Sequence, residues 1–150
     1  MPSTFYPTDP VIGTRLDATV ADADGPLFRL GDTVKALDGG EFMYVHASGA
    51  ITQYDVVSID ESFEAASLTV ANLQAGHALA IAQVAFADND YGWVATKGVG
   101  SPYNVRVAAS CAADIALYAT ATAGVLDDAV VADQRVDGIV IITAVTDAAA

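Results

Sequence analysis

Thr33-Val34-Lys35-Ala36-Leu37, then Asp38-Gly39-Gly40, then Glu41-Phe42-Met43-Tyr44-Val45-His46-Ala47 is the stretch that decides the fold class. Both flanking runs are rich in β-branched and aromatic residues, which fit a pleated, half-buried surface. Between them stands Asp-Gly-Gly, a turn signal that needs backbone freedom only glycine supplies cheaply. The reading is a β-hairpin closed around Gly39 and Gly40. The same grammar continues outward. Ile51-Thr52-Gln53-Tyr54-Asp55-Val56-Val57-Ser58-Ile59 ends at an acidic turn, Asp60-Glu61, and Ser67-Leu68-Thr69-Val70 reads as a further short strand. Leu79 to Phe86 nearly alternates large and small residues, Asp88-Asn89-Asp90 is a tight turn, and Tyr91-Gly92-Trp93-Val94-Ala95-Thr96 resumes as a strand. Tyr103-Asn104-Val105-Arg106-Val107 alternates and sends Tyr103, Val105 and Val107 to one face.

The chain beyond Val107 is less uniform. Alanines around Ser110 to Asp114 favour a helix, and a short helix and a turn both remain open there. Leu117-Tyr118-Ala119-Thr120 reads as a strand, Val125-Leu126-Asp127-Asp128 as a turn, and Gly138-Ile139-Val140-Ile141-Ile142-Thr143-Ala144-Val145 as the most strand-like run of all. Short strands spaced by about ten residues predict an all-β domain, a compact sandwich or barrel. That β-rich domain is expected over residues 29–150. Residues 1–28 hold four of the five prolines, at positions 2, 7, 10 and 26, and read as an extended N-terminal arm. Phe5 and Tyr6 are its large apolar groups. Either the arm folds back on its own domain or it docks on a neighbouring chain.

Charge narrows the function classes. Six Lys plus Arg stand against 19 Asp plus Glu, for a formal net charge of -13 over 150 residues. Neutralising phosphates supplies most nucleic-acid affinity, so nucleic acid is an unexpected partner. An anionic membrane is disfavoured for the same reason. The N-terminus lacks the cationic and apolar regions of a secretory signal, and no run is long and apolar enough to predict a spanning helix.

Motifs with catalytic or metal-binding potential are few. Cys111 is the single cysteine, which excludes an intrachain disulfide and multi-cysteine metal sites. Set among alanines, it reads as a small buried apolar residue. His46 and His77 stand in no metal-binding spacing. Lys97-Gly98-Val99-Gly100 lacks the phosphate-loop spacing and reads as a turn. The acidic pairs Asp22/Asp24, Asp88/Asp90 and Asp127/Asp128 invite a calcium reading. A calcium loop starting at Asp22 fails because its twelfth position is Thr33. No catalytic set, metal site or cofactor motif is identified. Trp93, preceded by Gly92, is expected in the core, in a subunit contact or in a sugar-stacking platform with Tyr91.

The order and flavour of the short strands resemble a known family. Ala82-Gln83-Val84-Ala85, Tyr91-Gly92-Trp93-Val94, the stretch from Leu117-Tyr118-Ala119-Thr120 to Asp127-Asp128, and a closing Val136-Asp137-Gly138-Ile139-Val140 resemble the capsid decoration (cement, head-stabilising) proteins of tailed bacteriophages over residues 29–145. The resemblance implies a non-enzymatic, β-rich virion protein, without cofactor, bound to the outer surface of the head. It implies two partners: the major capsid protein and other copies of the chain, as a homotrimer. Such arms often reach onto the shell, which nominates Pro2, Phe5, Tyr6, Pro7, Pro10 and Ile12 as capsid-binding residues. Tyr91, Trp93 and Tyr118 are nominated as subunit contact or core. The alternatives are another virion component, at a head fibre base or tail, and a carbohydrate-binding surface module.

Overall fold

A computed structural model describes residues 15–36, 39–98 and 103–145. The described chain is nearly all β and centres on a closed five-stranded barrel. In chain order the strands are β1 (Thr19–Val20), β2 (Thr33–Lys35), β3 (Glu41–Ala47), β4 (Val56–Ile59), β5 (Glu64–Ser67), β6 (Ala78–Ile81), β7 (Tyr91–Lys97), β8 (Leu117–Ala119), β9 (Leu126–Asp127) and β10 (Arg135–Val136). The ring closes in the order β3, β5, β4, β6, β7 and back to β3. Every pairing in it is antiparallel except the parallel β3–β5 contact. β8 forms a second, three-stranded sheet with β9 and β10 on either side.

The hairpin expected around Gly39 and Gly40 is present. β2 and β3 pair antiparallel, with Val34 opposite Phe42. β3 is long enough to serve two neighbours on one edge: its first half carries β2 and its last two residues carry β5. β7 is shared in the same way between β1 and β6. Alternation along β3 then sorts its side chains. Val45 and Ala47 enter the barrel, where they meet Val57, Ile59, Ala65, Ala80, Phe86 and Val94. Phe42 and Tyr44 face outward into a second cluster with Leu16, Val34 and Trp93. β4 is also buried on both faces, with Val57 inside the barrel and Val56 in a third cluster beneath the small sheet. The molecule is thus a barrel with a cover on each of two sides.

Several expected strands are shorter than the sequence suggested, or absent. In the run 51–59 only β4 is a strand. Ile51 makes a single bridge to Phe86, and Tyr54 adopts φ 71°, which breaks the ladder before Asp55. Leu68 follows β5, and Thr69 caps a short helix, α1 (Val70–Gln74), by accepting the Asn72 N–H at 3.2 Å. Residues 103–107 are not a strand, and Val107 alone bridges to Leu126. Residues 110–114 form turns, with Ser110 and Asp114 at positive φ, so the helix reading there is not realised. The run 138–145, the most strand-like in sequence, pairs with no strand among the described residues.

Of the region expected to be an arm, residues 15–28 are described. Residues 15–28 pack on the barrel: Leu16 is fully buried, β1 pairs with β7, and the Phe28 ring lies 5.3 Å from both Tyr44 and Trp93. No helix among the described residues is long and apolar enough to cross a membrane.

Candidate interaction surface

The nominated arm residues Pro2, Phe5, Tyr6, Pro7, Pro10 and Ile12 lie outside the described residues. The structure brings two of the three nominated aromatics together and leaves the third apart. Tyr91 and Trp93 share one face of β7, and both approach Tyr44, at ring-centroid distances of 6.5 and 5.0 Å. Trp93 is only 2% exposed, so it is core, with no ring face offered to a sugar. Gly92 between them is required by packing. A Cβ there would lie 2.6 Å from the Phe86 ring. Tyr118 sits in the other sheet, on β8, paired with Arg135 and Asp127.

The titratable residues serve structure where their partners are visible. His46 places Nδ1 3.8 Å from Glu64 and its ring 4.7 Å from that of Tyr91. His77 sits between α1 and β6, where its backbone N–H donates to the Asn72 carbonyl. Asp90 and Asp128 accept the backbone N–H groups of Ala87 and Ala112, and Asp127 accepts that of Asp128. Asp22 and Asp24 lie exposed in a single 3-10 turn. Among the described residues no group of three metal-ligating side chains forms. Cys111 is fully buried; burial first, and then the carboxylates of Asp128 and Asp127, push its thiol pKa up. A thiol kept protonated is a poor nucleophile.

One buried polar cluster was not anticipated. Asp55, 2% exposed, receives the Arg106 guanidinium on one oxygen. Its other oxygen accepts the Ser67 hydroxyl at 2.6 Å and the Thr52 N–H at 3.3 Å. Arg106 also donates its backbone N–H to the Tyr54 carbonyl, and its own carbonyl accepts from Leu126 in the small sheet. Gly124, at φ 77°, passes so close that a Cβ would lie 2.3 Å from the Asp55 carboxyl carbon. The cluster joins the barrel to the small-sheet lobe. A lone Asp inside the apolar run 51–59 was its one signal in the sequence, and Arg106, 51 residues away, carried none.

The surface is uneven in a way that bears on function. Among the described residues the large exposed apolar side chains are Leu27, Phe63, Ile115, Val130, Val131, Val140 and Ile142. The last five belong to the lobe built on β8, β9 and β10. Val130 and Val131 precede β10, and Val140 and Ile142 follow it. Ile115 is held near Val140 and Ile142, because the neighbouring Asp114 N–H donates to the Ile141 carbonyl at 2.9 Å. Ile141 turns inward, 6% exposed, and anchors the run to the lobe core. The lobe therefore buries Ile141 in its core while Ile115, Val130, Val131, Val140 and Ile142 stay exposed. No protein-family model, curated protein or solved structure matches this chain.

Proposed function

We propose that this protein is a non-enzymatic capsid decoration protein, which binds the outer surface of a tailed-phage head and stabilises contacts between major capsid subunits. The observation that carries the reading is the set of exposed apolar side chains on the small-sheet lobe, with Val130 81% and Ile142 67% exposed. Several large apolar side chains left exposed on one lobe are the kind of surface a partner covers. Behind it stands a barrel whose strands β3 and β4 are packed on both faces, which suits a part that must hold its shape under load. The net charge of -13 keeps free copies dispersed before they attach. The resemblance in the sequence supplies the shell as the partner. The nominated arm residues, at positions 2–12, extend the contact.

Cryo-electron microscopy of the parent particle tests this directly. Density for hundreds of copies on the head exterior is the expected result. A handful of copies at the tail would favour a tail-associated module, and a head with none would end the decoration reading. The sugar-binding alternative loses its proposed platform with Trp93 buried.

A further inference from the structure

We propose that two copies of this chain pair through the free edge of β10, antiparallel, about a two-fold axis at Val136. In the small sheet β8 is central and β9 and β10 are outer. The outer side of β9 is taken up: Val107 bridges to Leu126 and the Ala108 N–H donates to the Leu126 carbonyl. The outer side of β10 has no strand among the described residues. Strand alternation says which groups it presents. The Gln134 carbonyl accepts from Ala119 on the β8 side, so the backbone groups of Arg135 point outward, and Asp137, just past the strand end, lies on the same side as Arg135, whose side chain it pairs with.

That edge is complementary to itself. Antiparallel pairing centred on Val136 sets Arg135 of each copy opposite Asp137 of the other, an oppositely charged pair at both ends of the contact. Within one chain the two already form an ion pair at 2.9 Å, with side chains 65% and 80% exposed. Such an exposed pair is weak, so exchanging it for its counterpart across the axis costs little. The other outer strands lack this match. β1 lies between Asp17 and Asp22, so self-pairing opposes like charges there. On β2 the alternation set by the Tyr44 N–H to Asp32 carbonyl bond turns Thr33 and Lys35 outward, and self-pairing gives no opposite-charge pair.

An isologous contact of this kind is the commonest way identical chains associate. It goes beyond the decoration reading and does not depend on it, and a three-fold ring leaves the edge free to link one ring to the next.

Charge swapping tests the pairing, because both positions are exposed and the fold does not rest on them. Sedimentation of the purified full chain is expected to show association. Arg135→Asp and Asp137→Arg singly should each weaken it at least about tenfold, and the double variant Arg135→Asp/Asp137→Arg should restore it. Circular dichroism checks that all four proteins are folded. The proposal is overturned if the parent chain stays monomeric up to about millimolar concentration, if the single changes leave association intact, or if the double change fails to restore it. Binding of the same variants to heads is scored separately. A chain that pairs but never decorates removes the function reading alone, and a monomer that decorates removes the pairing alone.

Discussion

Asp55 is the residue on which the barrel and the lobe depend together. Its carboxylate faces Arg106 in a nearly closed setting, with side-chain exposures of 3% and 25%. Removing one charge from such a pair leaves the other buried and unmatched. Asp55→Asn is expected to lower unfolding free energy by about 3 kcal/mol in denaturant titration, and Asp55→Asn/Arg106→Met to recover a part of it. Tyr44 and Cys111 give a second expectation at this scale. Burial raises the Tyr44 phenol above 10.0, helped by Tyr91 and opposed by the Leu27 N–H that its oxygen accepts. Burial and the carboxylates of Asp128 and Asp127 raise the Cys111 thiol above 9.0. Both groups hold their protons longer in the folded chain than in the unfolded one. The stability they confer is full below the unfolded values and drains as pH rises from about 9 through the folded ones. Denaturation midpoints should therefore fall between about pH 8 and about pH 11, and Cys111→Ala should flatten the first part of that fall.

At the level of elements, residues 15–30 and the barrel make one unit. Leu16, Phe28 and Leu30 cover the outward faces of Phe42, Tyr44 and Trp93 on β3 and β7. Deleting residues 1–12 should leave the melting midpoint nearly unchanged while weakening attachment to heads. Deleting residues 1–28 removes a fully buried leucine and an aromatic partner of Trp93, whose loss costs roughly 5 kcal/mol or more. Tryptophan emission shifting to the red, with a midpoint many degrees lower, checks the second deletion. Equal attachment by the 1–12 deletion and the parent would remove the docking role of the arm. The β2–β3 hairpin was readable because its signals are local: two β-rich runs with Asp-Gly-Gly between them. The run 138–145 misled because its composition is that of a strand, and only the neighbourhood of β8 decides whether a ladder partner is available.

On the scale of the molecule, charge and exposed apolar surface are distributed differently. Acidic residues run through the whole sequence, while among the described residues five of the seven large exposed apolar side chains belong to the small-sheet lobe. Under the proposed function, two copies paired through β10 would attach at two points, and the second contact would then form at a high effective concentration.

The fold class was legible from the residues alone: β-branched and aromatic runs cut by Gly and Asp turns have no comparable helical solution. The sequence also marked Trp93 and Cys111 as candidates for the interior. Barrel rather than sandwich was decided by tertiary structure alone, because closure depends on β3 meeting both β5 and β7, partners that are distant along the chain. The same holds for the Asp55–Arg106 pair and for the outer side of β10, which carries no strand among the described residues. Burial and hydrogen-bond satisfaction are properties of the assembled neighbourhood, and local patterning carries no record of which neighbour arrives.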